Sequence, residues 1–205
     1  MVKVAVIDYG LCNLDSITRA IEECGSEAVV AATPEPLRFA DKFVLPGVGA
    51  FPAAMKNMRE RGLVDILIER VTEGSIPLLG VCLGMQLLAH RSTEISDAKG
   101  LGLIDGEVKI LQPVNRDERV PHMGWNQLEH RKESPLLSGI EETRDYYFVH
   151  SYHLVCRSKE DVIATTPYCG GFVSVLQHEN IYATQFHPEK SQRAGFAILR
   201  NFLSL

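Results

Sequence analysis

Residues 78–90, LLGVCLGMQLLAH, decide how this chain is read. A short apolar run, Leu78 to Val81, ends on a cysteine set between Gly80 and Gly84, and a helical pattern begins at once. Gly-x-Cys-x-Gly is the thiol counterpart of the Gly-x-Ser-x-Gly turn that joins a strand to a helix and lifts a nucleophile out of the backbone. Glycines suit such a bend because they carry no Cβ. On a parallel sheet the turn lies at the carboxyl edge, where open α/β folds bind ligands. The helix that follows directs unpaired N–H groups and a partial positive charge at the sulfur, which favours thiolate over thiol. Against this stands a plainer possibility, a cysteine packed as a small hydrophobe at a tight junction. The pentapeptide alone does not separate the two.

Working outward, Val2–Asp8 (VKVAVID) has the Val/Ile-rich character of a strand covered on both faces. A helical stretch from Asp15 to Cys24 follows, with Ile17, Ala20 and Ile21 at helical spacing and Gly25 as its stop. EAVVAA and KFVLPG read as the second and third strands, Phe51–Arg70 contains helix, and IPLLGV is the fourth strand. Alternating strand and helix over ninety residues predicts a parallel sheet with helices on both faces. From Gly100 to about Thr184 short strand-like pieces (GEVKIL, NQLEH, DYYFVHSYHLVC, VIATTP, GFVSVLQH) lie between turns, which suggests antiparallel or mixed sheet. IYATQFHP returns to a buried strand, and an amphipathic helix closes the chain from about Gln192 to Leu203. The expectation is a single α/β domain over residues 1–205, with a mixed, mainly parallel central sheet.

Near the end, QFHPEKS supplies what a cysteine nucleophile needs. Pro188 is expected to end the strand and leave His187 at its carboxyl end, on the same edge as Cys82. An imidazole takes and returns the thiol's proton, and a carboxylate fixes its tautomer and orientation. Glu189, two residues on in an extended chain, projects to the same side. The alternatives are a histidine satisfied at a strand end and a solvated turn carboxylate; with the Gly-x-Cys-x-Gly turn, three roles are filled at once. In FVLPGVGAF the Pro46–Gly49 turn follows a strand expected beside that of Cys82. Its backbone N–H groups and that of Leu83 would give two donors for a tetrahedral oxyanion.

Composition narrows the rest. The hydrophobic fraction of 45%, charged fraction of 23% and net charge of −5 suit a globular protein with no call for nucleic acid or an anionic membrane surface. No apolar stretch nears the roughly 20 residues that span a bilayer. Five scattered cysteines (Cys12, Cys24, Cys82, Cys156, Cys169) without a Cys-x-x-Cys pair argue against a disulfide framework or a zinc site and for a reducing, cytoplasmic setting. No metal or organic cofactor is expected, and His122 and His153 read as structural.

GVCLGMQ, PGVGAF, VPHMGWN, YYFVHSYH and QFHPEKS, in this order, resemble the glutaminase subunits of imidazole glycerol phosphate synthase, among the class I (triad) glutamine amidotransferases. The resemblance covers essentially the whole chain and implies their flavodoxin-like fold. It implies hydrolysis of L-glutamine to glutamate and ammonia through a thioester on Cys82, with His187 as base and then acid and Glu189 orienting it. Val48 and Gly49 match the family's oxyanion strand, which reaches its productive backbone when the partner is loaded. Gln86, His150 and Ser151 fall where the family contacts glutamine. Asn13, Met123, Trp125, Tyr147 and Lys190 match its partner interface. The implied partner is a separate (β/α)8-barrel cyclase, in a heterodimer, which receives ammonia through a tunnel in histidine biosynthesis. Rivals are a paralogous subunit feeding a sugar amidotransferase in surface-polysaccharide synthesis, a cysteine peptidase-like hydrolase, and a binding module without catalysis.

Overall fold

The computed structural model describes residues 1–141 and 144–205. In chain order the elements are β1 (Lys3–Ile7), α1 (Leu14–Glu23), β2 (Glu27–Ala31), β3 (Lys42–Leu45), α2 (Phe51–Glu60), α3 (Leu63–Thr72), β4 (Leu78–Val81) and α4 (Leu83–Leu87). They continue with β5 (Ala89–Ser92), β6 (Ala98–Lys99), β7 (Ile104–Ile110), β8 (His122–Gln127), β9 (Glu129–His130), β10 (Asp145–His150) and β11 (Tyr152–Cys156). The last are β12 (Val162–Thr166), β13 (Phe172–His178), β14 (Ile181–Thr184) and α5 (Gln192–Leu203).

Among the described residues the central sheet has eight strands in the order β2-β1-β3-β4-β14-β13-β12-β9. From β2 to β14 the neighbours are parallel, and beyond β14 they are antiparallel. The inner parallel strands β1, β3, β4 and β14 are covered on both sides because each carries apolar residues on both faces, whereas the edge strand β2 is partly exposed. Ala5, Ile7, Phe43, Leu45 and Leu78 pack with α2 and α3, through Phe51, Met55, Met58, Leu63, Leu67 and Val71. Val4, Val6, Val44, Leu79 and Val81 face α1 and α5, through Ile17, Ile21, Ile198, Leu199 and Phe202.

Two places refine the sequence reading. The helical stretch after Phe51 divides at Gly62, whose φ of +67° breaks the helix, into α2 and α3. The run Asp145–Cys156 is not one strand. It bends at Ser151, so that β10 pairs with β8 while β11 pairs with β7 in a four-stranded sheet, order β11-β7-β5-β6. A strand that changes sheets must turn a corner, and this corner brings His150 and Ser151 beside Cys82.

Candidate active site

Three parallel neighbours, β3, β4 and β14, end on one edge, with Leu45 opposite Gly80 and Val81 opposite Thr184. Cys82 is the first residue past β4 and adopts φ +54°, ψ −109°, which an L-residue rarely does. The strain is held by the surroundings, since the Cys82 N–H donates to the Thr184 carbonyl at 2.8 Å. Gly84 is required for a reason the motif did not disclose: a Cβ there would stand 1.7 Å from the Leu45 carbonyl oxygen. The glycine lets α4 sit directly against the end of β3. With five residues, all buried, α4 is a single core turn.

His187 lies three residues beyond the end of β14, not at its last position, and Pro188 starts a short 3-10 turn, Pro188–Lys190. Glu189 therefore reaches His187 by the curl of that turn, not by extended-chain alternation. The contact itself is as expected: His187 Nδ1 and Glu189 Oε1 are 2.8 Å apart, both side chains being nearly inaccessible to solvent. Ser191 Oγ donates to the His187 carbonyl and the His187 N–H donates to the Tyr147 carbonyl, which locks the turn. Nε2 of His187 is buried with no hydrogen-bond partner of good geometry. Its nearest chemical influence is the Cys82 sulfur. Burial alone would lower the His187 pKa, but the Cys82 sulfur and the Glu189 carboxylate overcome it and push the value up to about 10. A proton is thus held on the imidazole beside the sulfur.

A cavity of about 290 Å³ opens in front of Cys82, lined by Val48, Gly49, Leu83, Gln86, Glu94 and the corner Val149–Tyr152. That volume is at the small end of ligand pockets and suits an amino-acid-sized molecule. Gln86, His150 and Ser151 are all on its wall. The Gln86 amide donates to the Tyr152 carbonyl at 2.7 Å, and His150 Nδ1 lies 2.9 Å from the same carbonyl. Both side chains therefore brace the corner. Burial depresses the pKa of His150 to about 3, so its ring is neutral in ordinary conditions.

The Pro46–Gly49 stretch, expected to supply an oxyanion donor, borders the cavity with its Val48 N–H engaged elsewhere. The Val48 N–H, expected to face the site, donates to the Leu11 carbonyl at 2.9 Å. Gly49 has φ +100°, a Cβ there would meet only the Leu11 side chain at 3.9 Å, and Val48 and Gly49 are both exposed. Leu83, the second expected donor, begins α4, where first-turn N–H groups lack helical acceptors.

Residues matched to a partner interface lie on the surface beside the triad. Met123 and Trp125, 65% and 49% exposed, project from β8, and their cross-strand partners on β10 are Val149 and Tyr147. The Trp125 and Tyr147 rings meet edge to face at 5.8 Å. Asn13 precedes α1 and is exposed, while Lys190 ends the turn that carries Glu189 and packs against α1.

Two residues escaped the sequence reading. Glu94 lines the cavity and accepts the Phe51 N–H at 2.8 Å; burial raises its pKa against that bond. It is a lone acid in a polar loop, so no pattern marks it. Gln185 is fully buried, with Nε2 3.8 Å from the Cys82 sulfur. Its place two residues before His187 was the available signal. Among the described residues no group of three or more His, Cys, Asp or Glu stands ready for a metal, and no helix is long and apolar enough to cross a membrane.

A cysteine on a strand–helix turn, an imidazole held by a carboxylate and a small cavity in front of the sulfur make the arrangement of a triad hydrolase. The chain belongs to the family Glutamine amidotransferase class-I, whose model matches residues 5–205. More narrowly, it is 46% identical to the imidazole glycerol phosphate synthase subunit HisH 2 of Nitrobacter winogradskyi, over 99% of this chain and 98% of that one. It is 47% identical to subunit HisH 1 of Campylobacter jejuni strain RM1221, over 98% of this chain and all of the relative. The fold is also that of PurLQS from Thermotoga maritima (TM-score 0.77, 17% identity, 99% of this chain and 98% of that one). A solved glutamine amidotransferase superposes similarly (TM-score 0.74, 22% identity, 96% and 98% covered).

Proposed function

We propose that this chain, as one amidotransferase domain over residues 1–205, is the glutaminase subunit of an imidazole glycerol phosphate synthase. The observation that carries the reading is Cys82 on the wall of a cavity sized for glutamine, with the buried His187–Glu189 pair acting on its sulfur. With the imidazole holding the proton, the Cys82 thiolate attacks the glutamine carboxamide carbon and the carbonyl π-bond moves to oxygen. Leu83 N–H and a reoriented Val48 or Gly49 N–H receive the oxyanion. His187 then protonates the departing nitrogen, ammonia leaves, and a thioester remains. The neutral imidazole next removes a proton from water, which attacks the thioester and releases glutamate. Glu189 keeps the ring's orientation throughout. Glu94, a carboxylate facing the cavity, is suited to the substrate's ammonium group.

Ammonia in water near pH 7 is mostly protonated and not nucleophilic, so a product made here is useful only if passed on dry. The exposed strip of Met123, Trp125 and Tyr147 is suited to the partner, a (β/α)8-barrel cyclase in a heterodimer, with Asn13 and Lys190 at its margin. The setting is cytoplasmic. The oxyanion strand explains restraint: a misdirected donor removes about 3 kcal/mol of transition-state stabilisation, so the subunit idles alone. The test is glutamate release from L-glutamine with and without the cyclase and its nucleotide ligand. Stimulation by the loaded cyclase is expected; equal turnover in both arms rejects the coupling, and none in either rejects the activity.

A further inference from the structure

The mechanism above leaves two buried amides and two buried histidines unused, and they form one connected series. Asn126 Nδ2 lies 3.4 Å from His122 Nε2, and His122 Nδ1 lies 3.1 Å from His150 Nε2. His150 Nδ1 meets the Tyr152 carbonyl at 2.9 Å, and the Gln86 amide meets the same carbonyl at 2.7 Å. Gln86 Nε2 is also 3.2 Å from Gln185 Oε1, and Gln185 Nε2 is 3.8 Å from the Cys82 sulfur. The series runs from the partner-facing strand β8 to the nucleophile without touching Glu189.

Its polarity is dictated by one atom. The Tyr152 carbonyl can only accept, so both His150 and Gln86 must turn N–H groups toward it. The Gln86 amide nitrogen that does so also points at Gln185, which must therefore present its carbonyl oxygen there. The NH2 of Gln185 is then left facing the sulfur. With the opposite orientation two NH2 groups would meet in a buried space, at a cost no neighbour relieves. The histidines obey the same sense. With Nδ1 of His150 donating to Tyr152, its Nε2 must accept from His122 Nδ1, and His122 Nε2 accepts from Asn126. Both rings must be neutral for this, and burial lowers the pKa of His122 to about 4 and that of His150 to about 3.

We propose that Gln185 is a further catalytic residue, a donor that holds the Cys82 sulfur as a hydrogen-bond acceptor, with Gln86, the Tyr152 carbonyl, His150 and His122 positioning it. The sulfur has competing neighbours. The Val149 carbonyl lies 3.8 Å away and accepts the thiol proton, so it favours the neutral thiol. Gln185 works the other way, because an N–H bond to sulfur strengthens when the sulfur is charged. The other titratable groups that act on this sulfur are His187, from the turn after β14, and Tyr9, whose hydroxyl donates to the Pro46 carbonyl at 2.8 Å. His187 supplies the counter-charge and Gln185 a directed donor from beneath.

The inference rests on the reading of Cys82 as the nucleophile, and one experiment separates the two. The intact protein is alkylated with iodoacetamide across pH, and modification at Cys82 is followed by peptide mass spectrometry. Wild-type protein is compared with Gln185→Glu, which replaces the donor by an oxygen, and Gln185→Met, which keeps the volume. Gln185→Glu is expected to move the inflection up by about one pH unit, a tenfold slower reaction near neutrality, with the high-pH plateau unchanged. Gln185→Met is expected to move it by about half as much. A merely structural role would alter the plateau or the melting temperature and leave the inflection in place. Should neither variant fold, Gln86→Met frees the Gln185 amide to turn over, and the same upward shift is expected. Inflections that coincide with wild type in a folded variant overturn the proposal. Failure of Cys82 to react in the wild type would instead overturn the nucleophile reading itself.

Discussion

The two halves of this active site are built to opposite specifications. Cys82, His187 and Glu189 are buried, and the Cys82 backbone is held in a rare conformation by its bond to β14. Across the same cavity, the Pro46–Gly49 turn is exposed at Val48 and Gly49, and its Val48 N–H is spent on the Leu11 carbonyl. The difference teaches where control resides. The groups proposed to hold a proton are dry, whereas the backbone N–H proposed to meet the developing charge is engaged in one hydrogen bond at the surface. Reorienting such a bond is a small change with a large kinetic consequence.

This contrast can be broken from the rigid side first. Cys82→Ala is expected to lower glutamine turnover by at least about 10⁴-fold in the presence of partner, measured as glutamate release, with little change in melting temperature. From the mobile side, Gly49→Ala is expected to lower partner-stimulated kcat about 10- to 100-fold while Cys82 alkylation is unaffected. Its stability cost is about 1–2 kcal/mol, because φ at residue 49 is +100° and a Cβ is strained there although its nearest neighbour, Leu11, is at ordinary contact distance. Trp125→Ala is expected to weaken binding to the cyclase about 30-fold, by calorimetry or sedimentation, while costing less than about 1 kcal/mol of fold stability, since the ring is half exposed.

The last check concerns stability against pH and not turnover. His122 and His150 have folded pKa values near 4 and 3, below their unfolded value of 6.5, because burial disfavours the charged ring. The unfolded chain therefore binds protons first as pH falls through 6.5, and stability is lost from there down to the folded values near 4 and 3. Each histidine removes up to about 1.4 kcal/mol per pH unit. His187 has the reverse sign: its raised value, about 10, contributes stability that is present below pH 6.5 and lost as pH climbs through 10. Urea unfolding at several pH values checks both limbs, and His122→Phe is expected to flatten the acid limb.

Several features were legible before any coordinates. Cys82 between glycines, His187 before a proline and Glu189 beyond it were read correctly as neighbours, and the alternation of strands and helices was sufficient for the parallel sheet. The reason offered for Glu189 was wrong in detail, since a 3-10 turn delivers it. Gln185 was passed over because its one signal, a place two residues before His187, assigns no role until its neighbours are known. Leu11 was invisible for a deeper reason: its part is played by a carbonyl every residue possesses.

Local chemistry written into the chain was enough to bring Cys82, His187 and Glu189 forward together as candidates, because each stands beside a particular kind of turn. Only the assembled fold decided which backbone groups point into the cavity, that the strand after Asp145 bends at Ser151, and that a buried amide faces the sulfur. Those matters depend on contacts between residues up to a hundred positions apart, where packing and hydrogen-bond direction, not residue type, select the outcome.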